Sequence, residues 1–163
     1  PGLEPGRRKA LTTAPDLAPT IMELTGLAGL PTTMTGDSFG GVLEGKRDEH
    51  RSFVVSSWPL YFAQGEMTMA VDSKARRIAD YMPVTITAPE RSLILGGPAE
   101  KPELYDLTRD PGEQENKWST HGTEGRLLGE QALSFLEGVN TPEEYLAPRR
   151  EALDRWRVVR ESA

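Results

Sequence analysis

Ala14-Pro15-Asp16-Leu17-Ala18-Pro19-Thr20-Ile21-Met22-Glu23-Leu24-Thr25-Gly26-Leu27 carries helix signals at both ends. Asp16 is a favourable N-cap, because a short carboxylate accepts from the unpaired N–H groups of a first turn. Pro19 falls inside that turn, where its missing N–H costs little. Gly26 supplies the stop, since it enters the left-handed region without a steric penalty. Leu17, Ile21 and Leu24 recur at i, i+4 and i+7, so the spacing predicts a helix from Asp16 to about Leu24 with one apolar face.

Working outward, Pro1 to Ala10 holds two Pro/Gly turns and the run Arg7-Arg8-Lys9, read as a solvated surface cluster rather than a phosphate patch. Downstream, a Gly/Pro/Thr-rich connector from Gly29 to Gly41 leads to a short apolar element at Phe39, Val42 and Leu43, then to a polar turn from Gly45 to Arg51. Strand signals follow at Ser52 to Trp58, Met67 to Asp72 and Arg77 to Met82. Pro59 to Glu66 is a hairpin-loop candidate. Val84-Thr85-Ile86-Thr87 and Leu93-Ile94-Leu95 are short and ambiguous, while Glu103 to Leu107 reads as the last strand, ended by Asp110-Pro111-Gly112.

The tail is helical. Leu128, Ala132, Phe135 and Leu136 form an apolar stripe from Leu127 onward, with Gly138 as C-cap. Thr141-Pro142-Glu143-Glu144 offers a capping box with proline at the first helical position. Pro148 interrupts that second helix or starts another, and Leu153 and Trp156 face inward. The tail is expected to pack on the sheet, because Phe135 and Trp156 need burial, the alternative being a partner-binding extension.

The 163 residues suffice for a sizeable core, and 37% are hydrophobic. The absence of cysteine excludes disulfides, cysteine metal sites and a cysteine nucleophile within these residues. A net charge of −6 argues against a nucleic-acid partner, and no apolar run has the length of a membrane span. The chain opens at Pro1 without an initiator methionine, and it is expected to continue something that precedes it.

Chemistry-bearing patterns are sparse. His50 and His121 each stand in a polar stretch and read as lone surface histidines. Gly36-Asp37-Ser38-Phe39-Gly40 has the letters of a nucleophile elbow but lacks the apolar strand that must precede one, so it reads as a turn. Asp106 to Glu113 is acidic without the alternating ligands and closing glutamate of a calcium loop. Trp58, Tyr61 and Phe62 cluster within five residues, either closing a core edge or facing a substrate.

Two stretches carry a family resemblance. Asp16-Leu17-x-Pro19-Thr20-Ile21-x-x-Leu24-x-Gly26, followed by Pro31, Gly36-Asp37-Ser38-Phe39 and Leu43-Glu44-Gly45, resembles a segment of the sulfatase family, within the alkaline-phosphatase-like superfamily. Glu103-Leu104-Tyr105-Asp106-Leu107-x-x-Asp110-Pro111-x-Glu113-x-x-Asn116 resembles that family's signature near its carboxyl end. Between them, Val71-Asp72-Ser73-Lys74 with Ile78 and Tyr81 is a faint echo of a basic hairpin whose arginine is missing here. The order agrees over roughly residues 1–118.

The resemblance implies an α/β, alkaline-phosphatase-like fold, represented by the end of the large α/β domain plus the small α+β carboxyl-terminal subdomain, an antiparallel sheet with covering helices. Residues 1–45 would end the catalytic domain, 46–118 form the small subdomain and 119–163 the helical tail. It also implies sulfate-ester hydrolysis by a formylglycine made from a Cys/Ser-x-Pro-x-Arg motif, with a calcium ion polarising the sulfate. Those groups lie upstream in the family. Ser57-Trp58-Pro59-Leu60-Tyr61 has Tyr61 where the arginine must stand and follows the helix it should precede. No catalytic or metal-binding residue is therefore transferred, and the chain alone is expected to be inactive without the amino-terminal catalytic portion. Its expected part is a wall of the cleft, with Trp58 and Tyr61 stacking on a small-molecule or carbohydrate sulfate ester. The competing readings are a phosphoric-ester or phosphonate hydrolase of the same superfamily, and a non-catalytic binding or scaffold module.

Overall fold

The computed structural model describes residues 6–27, 34–57 and 82–157. The chain divides into two compact units, Pro1–Val54 and Val55–Ala163.

In the first unit a single 3-10 turn, Ala14–Asp16, runs into helix α1, Leu17–Thr25. Gly26 ends α1 at φ 71°, the left-handed stop expected of it. A four-residue helix α2, Gly40–Leu43, follows the connector, and Leu11 bridges Arg51 in antiparallel fashion. One expectation is corrected. The Asp16 side chain makes no capping bond to α1, because Arg51 and backbone groups outside the helix claim it. The apolar face of α1 is exposed, with Leu17 at 53%, Ile21 at 58% and Leu24 at 44%.

The second unit is built on strands β1 (Val54–Ser57), β2 (Val84–Thr87), β3 (Arg91–Leu95) and β4 (Glu103–Asp106), in the sheet order β1-β2-β3-β4. The β2–β3 and β3–β4 pairs are antiparallel, with Ile86 opposite Leu93 and Leu93 opposite Leu104. The two ambiguous stretches are thus inner strands. Alternation places Val84, Ile86, Leu93, Leu95 and Leu104 in the core. The expected strands at Met67 to Asp72 and from Arg77, and the Pro59 to Glu66 loop, lie outside the described residues.

Helix α3, Trp118–Gly138, packs against β2, β3 and β4, and helix α4, Glu143–Arg155, packs against α3. The tail does cover the sheet. The helical segment begins at Trp118, ahead of the expected Leu127, and kinks at His121, where φ is −124°. Ala132 and Leu136 of the expected stripe are buried, together with Trp118, Gly122, Gly125, Gly129 and Leu133, while Phe135 is 41% exposed. Two of the glycines make room. A Cβ on Gly125 would stand 2.7 Å from the ring of Trp118 at the start of the same helix and 3.3 Å from Leu104 of β4, and one on Gly129 would stand 2.7 Å from Leu153 of α4.

Gly138 is the last helical residue, and Asn140, at φ 59°, takes the left-handed conformation instead. Pro142 occupies the N-cap position of α4 with no side-chain capping bond, so the capping box does not form. Pro148 sits inside a continuous α4. Leu153 is buried, while Trp156 is only partly covered and its Nε1 donates to the Pro98 carbonyl at 3.3 Å. No helix among the described residues is long and apolar enough to cross a membrane.

Candidate functional site

Trp58 and Tyr61, the residues singled out for substrate stacking, lie outside the described residues. Two polar constructions are visible elsewhere, one in each unit.

The first is centred on Asp16, which is fully buried. Its Oδ2 accepts from the Thr13 N–H at 2.8 Å, the Thr13 hydroxyl at 3.0 Å and Arg51 Nε at 2.8 Å. Oδ1 accepts from the Asp37 N–H at 2.9 Å and from Arg51 Nη2. The Thr20 hydroxyl donates to the Asp16 carbonyl at 2.6 Å and accepts from the Phe39 N–H at 3.0 Å. One carboxylate therefore ties the 3-10 turn, the connector and the segment at Arg51 together. Arg51, and then the backbone donors of Asp37 and Thr13, hold the carboxyl far below the usual carboxylate range against the opposing effect of burial. The same ion pair raises Arg51.

His50 belongs to this cluster and is not the surface histidine expected from its polar surroundings. Its side chain is 3% exposed, with Nε2 3.3 Å from Asp16 Oδ2 and Nδ1 3.1 Å from Arg47 Nη2. Its ring meets Phe39 edge-on at 5.9 Å. Sequence reasoning missed His50 and Arg51 because both reach Asp16 across more than 30 residues, which no local pattern reports. Chemically the cluster is a clamp. Asp16 is too fully engaged to act as a base or a metal ligand.

The second construction is the carboxyl-terminal motif around β4. Asn116 Oδ1 accepts from the Leu104 N–H at 3.1 Å and the Trp118 N–H at 2.8 Å, while its Nδ2 donates to the Pro102 carbonyl at 3.1 Å. The Lys117 N–H donates to the Leu104 carbonyl at 2.7 Å. Asn116 thus stands in for a neighbouring strand on the outer edge of β4 and starts α3 at the same time. Asp106 Oδ1 accepts from the Thr108 and Arg109 N–H groups, and Asp110 Oδ2 accepts from those of Gln114 and Glu115. These bonds close the expected turn. The Tyr105 hydroxyl donates to the Glu103 carboxylate, which with burial and the acidic neighbours Glu113 and Asp110 pushes the phenol up to about 12.

Among the described residues no three His, Asp or Glu side chains are grouped to hold a metal ion. The donor set around Asp16 does not suit calcium either, because a guanidinium occupies both carboxylate oxygens. A cleft of about 330 Å³ between the 97–99 loop and α4 has two carboxylates, Glu144 and Glu151, on its wall. Another, of about 280 Å³ between α3 and α4, is lined by Arg126 and Arg150, both already ion-paired.

The chain shares its fold with part of solved structures named as sulfatases. One solved structure that shares it is a Bacteroides thetaiotaomicron protein, designated 4S-sulf, from a core genetic locus for the metabolism of multiple glycosaminoglycans. It matches with a TM-score of 0.63 and 20% identity, over 91% of this chain and 32% of that one. A protein assigned as a sulfatase from the same organism matches with a TM-score of 0.62 and 24% identity, over 86% and 28%. One assigned as a sulfatase from Bacteroides fragilis matches with a TM-score of 0.61 and 16% identity, over 82% and 26%. The chain therefore spans 26–32% of the length of these structures. No protein-family model matches the chain, and no curated protein matches it in sequence.

Proposed function

We propose that this chain is the carboxyl-terminal portion of a sulfatase-like hydrolase that cleaves sulfate esters, its role being structural and its loops bordering the substrate cleft. The observation that carries the reading is the shared fold over 86–91% of the chain, which covers only 28–32% of those structures. The two motifs support it, since each has a structural task here, Asp16 as the clamp and Asn116 as the edge cap. Under this reading the nucleophile and the metal site belong to the remaining portion. A calcium ion, if held there by that portion's residues, would supply polarisation of the sulfate. The exposed leucines and isoleucine of α1 belong against that portion.

Trp58 and Tyr61 are the proposed wall. Each offers a flat polarisable face suited to a sugar or aryl ring. Changing both to alanine in the full-length enzyme should raise KM about tenfold while kcat is kept, as expected when ground-state and transition-state binding are lost equally. Unchanged KM would remove these residues from the cleft. A coding sequence without a Cys/Ser-x-Pro-x-Arg motif ahead of Pro1 would remove the sulfatase reading itself.

A further inference from the structure

His50 is held in an unusual way. Arg47 Nη2 can only donate, so at 3.1 Å it makes Nδ1 an acceptor and leaves the ring proton on Nε2. That Nε2 is buried and stands 3.3 Å from Asp16 Oδ2, yet it lacks the alignment of a hydrogen bond. A buried donor without an aligned acceptor costs free energy, and the clamp does not need it, because Asp16 is already satisfied by Arg51, Thr13 and Asp37. The same Nη2 of Arg47 also donates to the Ser38 carbonyl at 2.6 Å, so this guanidinium straps the entrance of α2 to the ring.

We propose that His50 is a proton-operated latch on the α2 turn. Neutral, it accepts from Arg47 and keeps the strap across Ser38 in place. Protonated at Nδ1, it offers a second donor and a positive charge to a guanidinium that can only donate, and the strap is released. The imidazolium keeps its place through Asp16, whose carboxylate faces Nε2. Arg51 faces the same carboxylate from the far side, and Asp37 approaches Arg51 at 3.4 Å. Lys46, Asp48 and Glu49 on the histidine's own segment are exposed. The α2 turn loosens as a result, its bonds being Leu43 N–H to Phe39 O, Glu44 N–H to Gly40 O and Lys46 N–H to Gly41 O. Histidine is the side chain that changes charge in the physiological range. The inference does not depend on the sulfatase reading.

The experiment uses this chain as it stands. The imidazole resonances are followed by NMR from about pH 8 to about pH 5, together with hydrogen exchange of the Leu43, Glu44 and Lys46 amides corrected for chemical exchange. His121, which is exposed, is the internal reference. Exchange should rise about tenfold, the effect of losing one hydrogen bond, in step with the His50 resonance and not with that of His121. In His50→Gln the exchange should not change over that range. Flat exchange in the wild type overturns the proposal, as does a rise that persists in His50→Gln. If His50→Gln fails to fold, the wild-type profile alone decides.

Discussion

The two units of the chain are stabilised in opposite ways. From β2 to α4 the interior is mostly apolar, with Ile86, Leu93, Leu104, Trp118, Leu133 and Leu153 buried, and the one buried charge among the described residues there, Arg149, donates to the Tyr145 and Met82 carbonyls. In the first unit the most completely buried groups include Asp16 and Thr20, and the large apolar residues of α1 are outside. Burying side chains such as Leu or Phe contributes about 1.5–3 kcal/mol each, so the second unit has the means to fold on its own core. The first relies on a charged clamp, and a clamp fixes geometry more than it adds stability. A region with that balance is suited to lying against something larger.

The contrast can be broken at Asp16. Asp16→Asn removes the charge but keeps the shape, leaving Arg51 with only the exposed Asp37 at 3.4 Å, and should cost the first unit about 3 kcal/mol. Hydrogen exchange of the Asp37, Phe39 and Val42 amides reads this directly, with the β3 amides as control. Acid acts through the same group. Because the Asp16 carboxyl is held below its unfolded value of about 3.9, its contribution is complete above that value. It is lost as the pH falls further below. Tyr105 gives the opposite sign in the second unit. Its phenol is raised, so its contribution is present below about pH 10 and lost as the pH climbs through about 12.

A smaller effect is expected at Gly125. Alanine there gains about 1 kcal/mol of helix propensity but forces the Trp118 ring aside, at a cost of about 1–3 kcal/mol. Thermal unfolding should show a net loss, and a gain would mean that α3 is not seated as described. Asn116→Ala removes three hydrogen bonds at the edge of β4 and should cost about 1–2 kcal/mol by denaturant titration. The smallest effect belongs to the α1 face. Leu17→Ser with Ile21→Ser should change the stability of this chain by no more than about 0.5 kcal/mol, since both side chains are already exposed. A large loss would show that the face is covered within the chain.

Much of this architecture was legible locally. Pro19 and Gly26 bracket α1, and the motif from Glu103 to Asn116 marks β4 and its turn, because capping and turn chemistry act over a few residues. The start of α3 was not legible, since Gly125 and Gly129 look like helix breakers until Trp118, Leu104 and Leu153 are seen against them. The clamp was only half legible. Asp16 stood out, but as a helix cap, and its partners Arg51 and His50 are distant in sequence. Exposure of α1 was hidden too, because a periodic apolar face states that it can be covered and not by what.

The most direct test is sulfate release. A protein carrying this portion behind its amino-terminal catalytic portion should liberate inorganic sulfate from a sulfated sugar, and Asp16→Asn should reduce that activity together with the protection of the first unit. Hydrolysis of phosphate or phosphonate esters with no sulfate released would contradict the account.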